Sequence, residues 1–144
     1  MKLFGHPVHL MLNHFPAALF PLDAVLYGLY YCTGDMSYMT ASFYVVFAGV
    51  ITGWLSGLTG ILDVFKIPKE KEKSLTLGFI HGGLQALIMI AYTVLVVMLY
   101  KTYPNFAVAS ITLLILRCVL VVIMLVGNYL GGNLLIKHKI GIEA

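Results

Sequence analysis

The sequence predicts an all-α integral membrane protein, a four-helix bundle that runs up-down-up-down as one domain over residues 1–144. Of the 144 residues, 60% are hydrophobic and 10% are charged, whereas soluble domains carry roughly 25% charged residues. The mean hydropathy is +0.95, and a water-soluble core of this size cannot hide so much apolar surface. The apolar residues also fall into four long segments, which together predict a membrane protein.

The four segments cover about residues 7–31, 39–62, 75–100 and 106–136. Each is long enough to be a bilayer-spanning helix, which needs roughly 20 mainly apolar residues. Only helices and closed barrels satisfy their backbone hydrogen bonds in lipid, and the sequence lacks the alternation that barrel strands need. The connections after the first and third segments are short, so antiparallel neighbouring helices are expected.

The lysines predict the orientation of the bundle. Lys2 precedes the first segment, four lysines lie between the second and third, and Lys137 and Lys139 follow the fourth. All of these fall on one side of the membrane, and Lys101 falls on the other. Because positively charged loops stay in the cytoplasm, both termini are predicted to be cytoplasmic.

Histidines collect at the cytoplasmic side. His6, His9 and His14 stand at the head of the first segment, and His81 lies near the start of the third. From the rise per helical residue, His14 is about 10–12 Å and His81 about 9 Å from the cytoplasmic helix ends. Ionisable residues inside a membrane mark functional sites, although histidines at a helix start are also solvated by headgroups. A kink at Pro16 would redirect His14. We therefore expect His14 and His81 to form the principal pair, with His9 and His6 as alternatives.

Glycines are concentrated at the same depth as these histidines. Gly57 lies in the second segment, and Gly82 follows His81 directly in the third. Small residues at this spacing permit close helix packing. They also leave room for a flat cofactor against the backbone, so Gly57 and Gly82 are candidate cofactor-binding positions. The sequence leaves both interpretations open.

Two opposite charges lie inside the apolar segments. Asp23 is about 12 Å from the outer end of the first helix, and Arg117 is about 16 Å from the outer end of the fourth. Each unpaired charge would cost several kcal/mol in hydrocarbon. We therefore predict that Asp23 and Arg117 form a structural ion pair that sets the bundle register, with a proton path as the alternative.

Four separated motifs support a family resemblance. They are Gly5-His6-Pro7-Val8-His9 continuing to Asn13-His14-Phe15-Pro16, Gly60-Ile61-Leu62-Asp63 with Ile67-Pro68, His81-Gly82-Gly83-Leu84-Gln85, and Leu130-Gly131-Gly132 with Lys137-His138-Lys139-Ile140-Gly141. In this order they resemble the bacterial four-helix membrane family catalogued as domain of unknown function 2231, over the whole chain. Leu10 stands where the family often has proline, and Gln85 where asparagine is common. Neither departure removes a histidine.

The resemblance implies a four-helix fold and a multi-pass location in the bacterial inner (cytoplasmic) membrane. Some members of the family are fused to Rieske-type iron–sulfur domains or are neighboured by them. This association implies electron transfer, with a Rieske-type or cytochrome protein as a possible redox partner. The activity of the family itself is largely uncharacterised.

Three functions remain open. The first is a b-type haem protein that relays electrons, with His14 and His81 as axial ligands and His9 as a substitute. The second is a zinc, copper or iron site, or a metal transporter, built from His6, His9, His14, His81 and Asp63. The third is a non-catalytic membrane anchor subunit.

Enzyme chemistry and nucleic-acid binding receive little support. The sequence contains no nucleophile elbow, zincin motif or paired catalytic carboxylates, so a redox carrier or binding protein is favoured over an enzyme with its own substrate. No basic stripe with interleaved aromatic residues indicates nucleic-acid binding. The lipid bilayer is the expected environment, and a homo-oligomer is compatible with the sequence.

Overall fold

A computed structural model describes residues 2–3 and 6–137. The elements in chain order are β1 (Lys2–Leu3), β2 (His6–Pro7), α1 (Val8–Thr33), α2 (Met36–Val64), α3 (Glu72–Thr102) and α4 (Ile111–Ile136). The two strands pair antiparallel and hold two residues each. All four helices are long and apolar enough to cross a membrane. The predicted four-helix membrane fold is confirmed.

The fourth helix begins at Ile111, five residues later than the predicted start at residue 106. The preceding backbone is held by hydroxyl groups of α1. Tyr30 Oη donates to the Ala107 carbonyl at 3.1 Å, and the Ser110 amide donates to Tyr27 Oη at 3.0 Å. These tertiary hydrogen bonds engage backbone groups that a further helical turn would need, so the segment stays extended although it is apolar.

The first connection has a local explanation. Gly34 adopts a positive φ of 70°, which a residue with a side chain rarely accepts. Asp35 then caps α2, because its Oδ1 accepts a hydrogen bond from the Ser37 amide at 2.8 Å. The same hydrogen bond lowers the pKa of the Asp35 carboxyl group. Two residues thus separate α1 from α2, and the two helices form an antiparallel hairpin.

The helices form a four-sided bundle. α1 packs against α2 and α4, and α3 packs against the same two helices, so α1 and α3 face each other across the centre. α1 is continuous through Pro16 and Pro21. Buried apolar side chains fill the middle of the bundle, among them Phe20, Met39, Val46, Ile88, Tyr92 and Met124. Large apolar side chains also cover the outer surfaces of the helices, as expected where lipid replaces water.

The structure brings Asp23 and Arg117 together within this core. Arg117 Nε donates to Asp23 Oδ2 at 3.1 Å, and both side chains have an exposed fraction of 0%. Ser42 Oγ donates to Asp23 Oδ1 at 2.5 Å, and Arg117 Nη1 donates to the Leu113 carbonyl at 3.3 Å. The guanidinium carbon lies 3.7 Å from the centre of the Tyr27 ring. The pair therefore connects α1, α2 and α4.

The placement of both termini in the cytoplasm stays a prediction, because it concerns the membrane rather than the bundle. His138 and Lys139 lie outside the residues that the structure describes. Lys66 lies in the loop between α2 and α3, where its Nζ pairs with Asp63 Oδ1 at 3.3 Å.

Replacing one member of the buried pair, by Asp23→Asn or Arg117→Met, should lower the free energy of unfolding by about 3–5 kcal/mol, because the remaining charge stays buried without its partner. The Asp23→Asn/Arg117→Met double variant should lose much less than the sum of the single losses. Unfolding of the purified protein in detergent micelles measures both quantities. A double-mutant cycle with no coupling would contradict the assignment.

Candidate functional site

Two histidine rings meet near the predicted cytoplasmic end of the bundle. His9 lies on α1 and His81 on α3, the two helices that face each other across the centre. Their ring centroids are 6.3 Å apart, and the ring planes are inclined by 79°. Both side chains are half-buried. The geometry therefore places two imidazoles face to edge between the first and third helices.

His9 is held by the neighbouring helix α2. Its Nδ1 donates to the Ser56 carbonyl at 2.9 Å, and Ser56 Oγ donates back to the His9 carbonyl at 3.2 Å. Gly60, one turn after Ser56, lies under the ring, since a Cβ at this position would come within 2.8 Å of His9 Nδ1. The glycine thus gives the imidazole access to the helix backbone.

His81 is held in the same way by α4. Its Nδ1 donates to the Gly127 carbonyl at 2.7 Å. Gly131, four residues after Gly127, lies under the ring, and a Cβ there would come within 2.8 Å of His81 Cε1. Each histidine therefore donates to a backbone carbonyl of the next helix along the chain. Each ring also packs against the glycine that follows this carbonyl residue by one helical turn.

These hydrogen bonds determine the tautomer of both rings. A carbonyl oxygen only accepts hydrogen bonds, so Nδ1 must carry the proton in His9 and in His81. In the neutral ring Nε2 then keeps its lone pair and is free to bind a metal ion. Metal-binding histidines usually donate their other N–H to a carbonyl or carboxylate, which fixes the ring and raises its basicity.

A layer of amide side chains lies one helical turn deeper. Asn13 follows His9 by four residues, and Gln85 follows His81 by four residues, so each lies on the same helix face as its histidine. Gln85 Nε2 donates to Asn128 Oδ1 at 2.9 Å, and Asn13 Nδ2 donates to the same oxygen at 3.5 Å. Together they separate the histidine pair from the apolar core.

The structure places His14 away from the pair. Its side chain is exposed on the outer surface of α1, and its Nδ1 donates to the Leu10 carbonyl at 2.6 Å. The principal pair expected from depth, His14 with His81, is therefore corrected to His9 with His81. Because α1 is a continuous helix, the five residues from His9 to His14 turn the side chain by roughly 140° away from the bundle centre.

The other predicted site residues are placed as follows. His6 lies in β2, where its backbone pairs with Leu3, and its part in a site stays a prediction. Gly57 and Gly82 leave open space, since a Cβ at either would meet no atom within 4 Å. Asp63 binds Lys66 in the loop after α2.

A metal site assembled from several ligands is not supported by the described residues. Among residues 2–3 and 6–137, no three His, Cys, Asp or Glu side chains come together as a group that could hold a metal ion. The histidine pair offers two nitrogen ligands, and its other neighbours are amides, a hydroxyl group and glycines.

Sequence reasoning missed the residues that hold the histidines. Ser56, Gly60, Gly131 and Asn128 were not predicted as site residues. A sequence signal existed, because both histidines are followed four residues later by an amide side chain. That spacing marks one helix face and would have favoured His9 over His14.

Comparison with known proteins gives one match. A family model described as predicted membrane protein (DUF2231) matches residues 5–144. No curated protein and no solved structure matches the chain. The match covers both histidines and all four helices.

Alanine at Gly60 or Gly131 should disturb the site, because the added Cβ would lie 2.8 Å from a histidine ring that is already hydrogen-bonded. Each variant should lower the free energy of unfolding by about 1–3 kcal/mol. Gly57→Ala and Gly82→Ala are matched controls in open space, and they should be neutral or stabilise by up to about 1 kcal/mol. Thermal unfolding in micelles distinguishes the two groups, and equal effects in all four variants would refute the assigned contacts.

Proposed function

The chain belongs to the DUF2231 family of predicted membrane proteins, and we propose that it is a b-type haem protein that relays electrons within the bacterial inner membrane. His9 and His81 are the residues that would hold the haem iron. The observation that carries the proposal is the imidazole pair itself, with Nδ1 of each ring bound to a backbone carbonyl and Nε2 left to bind iron.

The number of ligands favours haem over a bare metal ion. A haem held by two histidines would need only two nitrogen ligands from the protein, and facing helices of a bundle can supply them. A zinc, copper or iron ion without a porphyrin needs three or four protein ligands. The described part of the chain brings two imidazoles together and no third ligand of this kind.

The distance between the rings is also suitable. Metal–imidazole bonds measure roughly 2.0–2.1 Å, so two rings on opposite sides of one metal ion have centroids on the order of 6 Å apart. The centroids of His9 and His81 are 6.3 Å apart. The part of Gly57 and Gly82 in binding a flat ring stays a proposal, and a Cβ at either position would meet no atom within 4 Å.

When bound, haem would supply one-electron transfer. The protein residues would bind the haem and orient it. The Ser56 and Gly127 carbonyls hold the two imidazoles in one tautomer, and the amide layer around Asn128 separates them from the apolar core. Lysines at the predicted cytoplasmic surface are available to pair with the propionate groups. A Rieske-type or cytochrome protein remains the proposed redox partner.

The test is an optical spectrum of the full chain, purified in detergent from cells supplied with haem. After reduction with dithionite, the wild-type protein should show a Soret band and a sharp α band. His9→Ala and His81→Ala should each lose most of the haem, because one axial ligand is removed. His14→Ala is the matched control on the same helix and should keep the wild-type spectrum.

Two outcomes would overturn the proposal. A colourless wild-type protein would exclude haem, and metal analysis of the same sample would then test the alternative of a bound ion. Loss of haem in the His14 variant together with full retention in the His9 variant would return the ligand role to His14.

A further inference from the structure

The buried ion pair in the outer half of the bundle leaves two donors unused. Ser42 and Arg117 each donate to Asp23, but Arg117 Nη2 has no hydrogen-bond partner among the described residues. The Tyr92 hydroxyl on α3 also has no hydrogen-bond partner among the described residues. Both side chains have an exposed fraction of 0%. A buried donor without a partner is costly, and two in one core require an explanation.

The Tyr92 ring lies beside the helix face that carries Asp23. The Tyr92 ring stacks on Phe20 with centroids 3.9 Å apart and planes 7° apart. Phe20 precedes Asp23 by three residues on α1, so the two side chains share a helix face. Tyr92 is therefore connected through Phe20 to the helix face that carries the carboxylate bonded by Arg117.

We propose that a buried water molecule accepts hydrogen bonds from Tyr92 Oη and Arg117 Nη2 and donates to the Asp23 carboxylate. Water fits the donors and acceptors on the site. Its oxygen accepts two hydrogen bonds, and its two protons need acceptors, which the unused lone pairs of the carboxylate supply. A bound anion would instead be repelled by Asp23.

The energy balance favours occupancy. A buried water typically makes about three hydrogen bonds to polar groups that would otherwise be unsatisfied. The entropy lost by holding it is smaller than the cost of two unpaired donors in a medium without water. The water also changes the connectivity of the core. Asp23 on α1, Ser42 on α2 and Arg117 on α4 are already linked, and the water adds Tyr92 on α3. The polar layer then joins all four helices, independently of haem.

Tyr92→Phe tests the proposal, because it keeps the ring that stacks on Phe20 and removes only the hydroxyl group. If the hydroxyl binds water, the variant should melt about 3–5 °C below the wild type. Tyr100→Phe is the matched control, since Tyr100 is an exposed tyrosine on the same helix, and it should melt with the wild type. An unchanged or higher melting temperature for Tyr92→Phe would show an unpaired hydroxyl and overturn the proposal.

A high-resolution experimental map of the full chain provides the direct measurement. Density for one solvent molecule within hydrogen-bonding distance of both Tyr92 Oη and Arg117 Nη2 is the expected result. A direct hydrogen bond from Tyr92 to Asp23, with no solvent between them, would account for a lower melting temperature without water and would refute the proposal.

Discussion

Hydrocarbon offers no hydrogen-bond partners, so a polar group inside the membrane must find its partner within the protein. This constraint organises the whole bundle. Among the described residues, two polar layers lie within the bundle, one around Asp23 and Arg117 and one around His9 and His81. Apolar side chains fill the space between the layers. Because the polar bonds run between helices, each layer also specifies which helices are neighbours.

The fold was predictable because hydropathy and length determine which segments cross a bilayer. The pairing of Asp23 with Arg117 was also predictable, because two opposite charges in one half of a membrane are each costly unless they pair. The residue at which α4 begins could not be predicted from the sequence. It depends on Tyr27 and Tyr30, whose hydroxyls contact backbone groups 77–83 residues away in sequence, and no local pattern reports such a contact.

The candidate site was predicted in part. Depth along the helix, which follows from counting residues, matched His14 to His81, whereas the ring that lies next to His81 is that of His9. The direction of each side chain around the helix axis was not predicted, and this direction decides which of His9 and His14 faces the interior. The glycines that contact the histidine rings were not predicted, for a related reason. Gly57 and Gly82 attract attention by position, but Gly60 and Gly131 are the ones in contact with the rings.

The two histidine sites have a common plan with an evolutionary consequence. Each hairpin, α1–α2 and α3–α4, carries a histidine on its first helix, an amide one turn later, and an acceptor carbonyl with a glycine one turn beyond on its second helix. The histidine and its acceptor are separated by 47 residues in the first hairpin and 46 in the second. Two parallel hairpins related by a pseudo-twofold axis along the membrane normal would place their histidines and acceptors at such nearly equal separations. A single hairpin that dimerised about such an axis would build both half-sites from one gene segment, and in a fused chain each half-site could then vary independently, as the different amides Asn13 and Gln85 illustrate.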